Sequence, residues 1–370
     1  MRIAIIGTRG IPPRYGGFET LASELSHELA TRGHEVIVYG RRGQPQPKHI
    51  EIEPGVFAHR LWVIRIEALE SLSAGLFGAI HSLFHYKPDV ALLCNPGNVW
   101  VGKFLQARGI PVILHMAGLE FKREKWQGLG SRVLWRALNS AVKSSLTLLT
   151  DSNAIATWYR EQFNRDIEVI SYGAKPVLPD ERILTDFELV KNEYDIVVAR
   201  FEPDTQIVNI IQTHARSGNK RLVLVGETQL SRSMQKYSNE LDKAIKSHPN
   251  LLLLGPIWDE RTLDTLWHFS RTYIHGHRTG GTNPALVRAA GAGAEILAFD
   301  NDFNREVLGQ NGWYWSSDQQ LGQLFHDQPW LKGSKGDAAK LSTLERYQWS
   351  SVAEQYEDLM QRVCTSRRIS

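Results

Sequence analysis

Apolar residues arrive along the chain in blocks of four or five, separated by stretches in which they recur every three or four positions. The blocks at 3–6, 35–39, 90–94, 112–115, 146–150 and 167–171 have the length and branched composition of buried strands. The periodic stretches at 18–32 and 67–85 read as helices. The pattern then restarts, with strands at 195–199, 222–225, 251–254, 272–275 and 295–299. Helices at 207–217, at 260–270 and from Pro284 up to Gly291 and Gly293 lie between them. A last periodic stretch covers 351–363. Strands alternating with helices predict parallel sheets joined by crossover helices, hence an α/β protein. Residues 179–192 lose apolar periodicity and read as a linker. The expected division is therefore 1–178, a linker at 179–192, 193–348, and a terminal helical segment at 349–370.

Length agrees with that division, because 370 residues exceed one ordinary core and suit two domains. A composition of 42% hydrophobic and 22% charged residues is that of a soluble globular protein. The net charge of +3 is too small to argue for nucleic acid as a partner. Cys94 and Cys364 make neither a disulfide framework nor a metal-ligand spacing, which fits a reducing cytoplasm. The apolar run in MRIAIIG is too short for a signal core, and no run approaches the ~20 residues of a membrane span. The expected location is cytoplasmic, with contact at the inner membrane face left open.

Candidate chemistry concentrates in RTYIHGHRTGGTNPALVRAAGAGAEILAFDN, residues 271–301. A strand gives way to the turn His277-Arg278-Thr279-Gly280-Gly281, and Thr282-Asn283-Pro284 then starts a helix, with Thr or Asn as cap and proline at the first position. Backbone N–H groups at such a join converge and attract anions, phosphate above all. An ordinary strand-loop-helix connection has the same spacing, and both readings stand at this point. The first half opens similarly: a strand, the loop Gly7–Gly17 with the doublet Gly16-Gly17, then a helix. A nicotinamide-dinucleotide enzyme begins this way too. Its G-x-G-x-x-G is missing, however, and Gly40-Arg41-Arg42 stands where its acid belongs. Asn95-Pro96-Gly97-Asn98 ends a strand at the sheet edge where open α/β folds bind ligands. Trp258 either stacks on a base or packs. Lys122, Arg123, Lys125, Arg132 and Arg136, interleaved with Trp126, Leu134 and Trp135, suit either a helix resting on an anionic membrane or a solvated helix face.

HGHRTGGTNPALVRAAGAG resembles the donor-nucleotide motif of the bacterial rhamnosyltransferase-like subgroup of glycosyltransferase family four. GTRGIPPRYGGFE resembles that subgroup's first-domain loop, and further similarity falls at Met116–Trp126, Asp302–Val307 and Tyr347-Gln348-Trp349. The resemblance implies the GT-B fold: two Rossmann-like doubly wound domains facing a central cleft, with the last helix returning to the first domain. It implies a retaining, metal-independent transfer of a sugar, with rhamnose the first candidate, from a nucleoside diphosphate. No cofactor is expected beyond that donor substrate. The acceptor is a glycan or lipid-linked oligosaccharide. Donor contacts are then expected at Arg200, Thr205, His275, Gly280, Gly281, Thr282, Asn283 and Arg288. Acceptor-side loops are expected at Gly16, Gly17, Asn95, His115, Gly118 and Glu120. An arginine at a strand end is either a surface charge or a clamp on pyrophosphate through paired N–H donors, and the resemblance implies the clamp for Arg200.

Departures fall at important places. The family's two glutamates, eight positions apart, correspond to Gly280 and Arg288, and the aspartate that usually precedes Gly118 is Ala117. A guanidinium has no acceptor, so Arg288 cannot take hydrogen bonds from a ribose diol. Helical side chains lean toward the N-terminus, so Arg288 is expected to reach back and clamp the diphosphate. Otherwise the donor site is spoiled and the chain is a non-catalytic binding or scaffold protein. No catalytic residue is assigned and no metal is expected at the site. A deacetylase or epimerase fits less well, because neither metal ligands nor a Tyr-x-x-x-Lys couple is suitably placed.

Overall fold

The structure, a computed structural model, describes residues 1–13, 16–41, 49–64, 67–118, 129–218, 220–227 and 234–369. The chain forms two compact units. The first holds the described residues up to Tyr172 together with those from Trp349 onward, and the second spans Gly173–Gln348.

The first unit's strands are β1 (Arg2–Ile6), β2 (Glu35–Arg41), β3 (His49–Glu53), β4 (Val56–Leu61), β5 (Val90–Cys94), β6 (Val112–His115), β7 (Thr147–Thr150) and β8 (Glu168–Val169). They form one sheet in the order β3-β4-β2-β1-β5-β6-β7-β8, parallel except for the antiparallel edge pair β3/β4. That edge hairpin went unseen in the apolar pattern, because His49–Glu53 is polar and exposed. Its helices are α1 (Gly17–Thr31), α2 (Glu67–His81, continued by a π turn at Ser82–Tyr86), α3 (Val99–Ala107), α4 (Leu129–Val142) and α5 (Asn153–Phe163). The terminal helix, labelled α13 below (Trp349–Ile369), packs on α1 over one face of the sheet. There Leu21, Leu25, Val352 and Tyr356 meet Ile3, Ile5, Val36 and Leu92. The other face carries α2 and α3. A Cβ on Gly78 would lie 2.9 Å from Ile6, and one on Gly102 3.1 Å from Leu93, so small residues let these helices sit close.

The second unit repeats the plan. Strands β9 (Tyr194–Val198), β10 (Arg221–Val225), β11 (Leu251–Gly255), β12 (Thr272–His275), β13 (Ile296–Phe299) and β14 (Trp313–Trp315) form a parallel sheet in the order β11-β10-β9-β12-β13-β14. Its helices are α6 (Ile207–Arg216), α7 (Gln235–Ser247), α8 (Glu260–His268), α9 (Pro284–Gly291), α10 (Asp302–Leu308), α11 (Asp318–Asp327) and α12 (Gly336–Arg346). The strand order reverses between β9 and β12, the place where doubly wound sheets bind ligands at their carboxyl ends.

The stretch expected as a linker packs within the second unit. Residues 179–192 belong to the second unit: a 3-10 turn (Glu181–Phe187) caps on Asp180 and inserts Leu184 and Leu189 into the core that also holds Tyr194 and Leu266. Two isolated apolar residues suffice to anchor it, too few to make a periodic signal. At the amino ends of the strands, Asp195 is fully buried and receives Arg271, Thr272 Oγ1 (2.5 Å) and His214 Nε2 (2.9 Å). Burial alone would raise its carboxyl, yet the hydrogen bonds from His214 and Arg271 hold it below the usual carboxylate range.

Candidate functional site

In the second unit two loops flank the switch point. After β9 the chain runs Arg200–Gln206, and after β12 it runs Gly276–Asn283. Backbone stitches join them: Arg278 N donates to Asp204 O (2.9 Å) and Gln206 Nε2 to Gly276 O (3.0 Å). A Cβ at Gly276 would stand 2.4 Å from Thr205 O, so only glycine permits this approach. Gly280 holds φ at +148° with open space where a side chain would go. Asn283 caps α9 by accepting from Ala285 N (2.9 Å), with Pro284 next. The loop's far side is braced by Asn301 and Asn304, which both donate to His277 O.

Arg200 stands at the end of β9 with a partly exposed side chain, 3.5 Å from Glu202. Arg278, on the neighbouring loop, is exposed and lies over the Phe299 ring. Sequence reasoning passed over it as one more polar turn residue. The second loop also holds a buried polar atom without a hydrogen-bond partner, Thr279 Oγ1, and His275 precedes the loop at the end of β12. His275 Nδ1 meets Tyr273 Oη at 2.8 Å and its ring stacks on His277 at 4.3 Å. Burial pulls this imidazole down to about 3, so it is neutral at ordinary pH. Arginine side chains, N–H groups at a helix start and a buried hydroxyl beside an open glycine turn are groups whose chemistry suits an oxyanion.

Other residues expected to contact the donor have partners within the second unit. Thr205 is buried and donates to Arg200 O (3.0 Å) and Glu202 O (2.7 Å), so it shapes the arginine's loop from within. Asn283 uses its side-chain oxygen as the cap, and Thr282 is buried at the same turn. Arg288 does not turn back to the loop. Its Nη2 lies 2.7 Å from Asp264 and its Nη1 3.5 Å from Glu260, both on α8, while the guanidinium covers Trp267. Packing against α8 supplies carboxylate acceptors nearby, which outweigh a distant anion site. Burial raises the Asp264 carboxyl and Arg288 opposes that rise. Trp258 is half exposed on the loop before α8.

The first unit's corresponding edge is formed by the loops after β1 and β5. Gly16 and Gly17 begin α1 without a side-chain cap, and Glu19 reaches back from the first turn to accept from Arg9 N (2.7 Å). Sequence reasoning missed Glu19, whose signal was an acid in the first turn after a glycine pair. Asn95 accepts from Gly97 N (2.8 Å), which fixes its own turn. His115 is wholly buried, with Phe18 edge-on to its ring; its Nδ1 accepts from Ala117 N (3.1 Å) and its Nε2 has no partner. Ala117 adopts φ of +57°, a left-handed backbone that Asn, Asp or Gly tolerates better. Gly118 follows at a bend, and Glu120 lies outside the described residues.

Burial pulls His115 down to about 3, and His248 down to about 4 by burial and the neighbouring His214. An unfolded chain takes up these protons near pH 6.5 and the folded chain refuses them. Stability therefore falls as pH drops from about 6.5 toward about 3 to 4. Thermal melts across that range should show a shallower acid slope for His115→Gln than for the wild type; equal slopes would remove His115 from the acid response.

The fold is that of the GT-B class of glycosyltransferase structures: two parallel-sheet α/β domains. Residues 16–173 match the family described as a glycosyl transferase 4-like domain. The sucrose-phosphate synthase of Thermosynechococcus elongatus is similar over 99% of this chain and 99% of its own, at 16% identity and a TM-score of 0.85. HepE of Anabaena in complex with UDP-glucose is similar over 98% of this chain and 100% of its own, at 16% identity and a TM-score of 0.75. An α,α-trehalose-phosphate synthase (UDP-forming) of Burkholderia xenovorans in complex with glucose-6-phosphate covers 97% and 99%, at 11% identity and 0.71. No curated protein matches the chain.

Proposed function

We propose that the protein is a glycosyltransferase that takes a sugar, rhamnose first among the candidates, from a nucleoside diphosphate held on the second unit. The acceptor is a surface glycan or a lipid-linked oligosaccharide. One observation carries the donor reading: the loop that holds Arg200 is stitched to the glycine loop before α9, through Arg278 N to Asp204 O and Gln206 Nε2 to Gly276 O, and that loop keeps Thr279 Oγ1 buried without a partner. As the glycosidic bond breaks, negative charge builds on the leaving diphosphate. Fixed N–H donors and a guanidinium stabilise it without a metal, and retention of configuration follows from the family resemblance. HepE, a structural neighbour, is solved with UDP-glucose, and the motif at 275–293 resembles rhamnosyltransferases; the two point to different bases. Calorimetry with UDP, dTDP and their sugars decides between them, and no heat from any of them at millimolar concentration overturns the reading.

A non-catalytic, scaffold-like role is favoured by Ala117 and by Arg288, which is engaged by α8. Restoring acids at both positions tests it, with one complication. Arg288→Glu sets a third carboxylate against Asp264 and Glu260, so lost binding would report a broken ion pair as much as a lost clamp. Arg288→Met is the cleaner change. We expect it to lower stability by about 1–3 kcal/mol in urea unfolding, because Asp264 is left half-buried and unpaired. Nucleotide affinity should change by less than about threefold, since the guanidinium contacts α8; a tenfold loss would restore Arg288 to the diphosphate.

A further inference from the structure

α2 is built inside out. The residues it buries are small, Ala74, Gly75, Gly78 and Ala79, while Leu72, Leu76, Ile80 and, in the π turn, Phe84 form a ridge on its outer side. Those four are 40%, 46%, 38% and 62% exposed, where a soluble helix would carry charge. Trp62, half exposed, packs on Phe77 at one flank. α3 lies beside α2 and α4 beside α3, and they extend the surface with Trp100, Val133 and Trp135, all exposed.

Charge on this layer is one-sided. α3 and α4 contain no aspartate or glutamate, and the segments carry Lys103, Arg108, Arg132, Arg136 and Lys143. In a chain with 43 basic and 40 acidic residues that is marked segregation. The two acids of α2, Glu67 and Glu70, sit in its first turn, and Glu70 pairs with Arg41. Lys103 lies over the Trp100 ring, which places a cation and an aromatic at one level. No helix among the described residues is long and apolar enough to cross a membrane.

We infer that the outer face of α2, α3 and α4 docks on the surface of an anionic lipid bilayer. The ridge and the tryptophans enter the headgroup layer while the arginines and lysines pair with lipid phosphates. A protein partner explains the apolar ridge but not the rim of uncompensated positive charge. The inference rests on the lipid-linked acceptor reading for its purpose, since it holds the first unit where such an acceptor is presented. Its physics is independent of donor chemistry.

The test is flotation of the full chain with vesicles of phosphatidylcholine alone or with phosphatidylglycerol added, beside UDP calorimetry on the same preparation. The wild type should bind the anionic vesicles at low salt, bind neutral ones poorly, and release as salt rises. Arg132→Glu/Arg136→Glu should weaken binding at least about tenfold. Leu76→Asp and Trp100→Ala should weaken it too, with UDP binding and melting unchanged. Wild-type protein that ignores anionic vesicles, or variants that bind as it does, overturns the inference whatever the nucleotide result. A concentration-dependent dimer abolished by Leu76→Asp, without vesicle binding, also overturns it. Vesicle binding without UDP binding supports the docking face and counts against the donor site alone.

Discussion

Asp195→Ala is expected to destabilise the second unit by about 3–5 kcal/mol, as removal of one partner from a buried ion pair does. The carboxylate is wholly buried and holds a guanidinium, a hydroxyl and an imidazole together. Alanine leaves Arg271 charged at a site where water barely reaches, and takes the acceptor from His214, which also meets His248 at 2.9 Å. Asp195 and Thr272 are register partners on β9 and β12, so the loss loosens the two strands that position the candidate donor loops at their other ends. A domain of ordinary stability has only about 5–15 kcal/mol to lose. Urea unfolding followed by tryptophan fluorescence measures the effect. A loss under about 1 kcal/mol would mean that the network rearranges around solvent, and the buried-pair account would fail. Because the folded carboxyl lies below its unfolded value, this contribution is present above about pH 4 and disappears as pH falls through the lowered folded value.

Arg200→Ala should leave folding intact and lower transfer by about a hundredfold or more, the usual effect of deleting one charge-stabilising donor. The side chain is partly exposed and its ion-pair partner Glu202 stands at 3.5 Å, so little stability depends on it. The proposed transfer depends on it more, because Arg200 follows β9 at the strand-order reversal, where the donor diphosphate is proposed to sit. Single-turnover rates with the donor that the wild type accepts, together with UDP affinity, separate the two effects. Weaker UDP binding with an unchanged rate would make the arginine a ground-state anchor. Wild-type values for both would remove it from the site.

Much of the fold was legible along the chain, because parallel strands buried on both faces must be continuous apolar blocks and their crossover helices must be periodic. The blocks ending at Ile6, Cys94, Val225 and His275 fall where strands fall. The antiparallel edge at His49–Glu53 was illegible, since an edge strand facing water needs no apolar run. Glycine, asparagine and proline at 280–284 announced a turn and a capped helix because only those residues satisfy that backbone cheaply.

What the sequence by itself determined is therefore local: strand, turn, cap, and the loops that end at a sheet's carboxyl edge. Tertiary structure alone decided what each polar side chain faces. Thr205 has a hydroxyl suited to a ligand, yet its loop turns so that Arg200 O and Glu202 O claim it. Arg288 is drawn to Asp264, a residue 24 positions earlier that no periodicity links to it. Hydrogen bonds act over about 3 Å of space and not over separation along the chain, so partners become known only once the elements have packed.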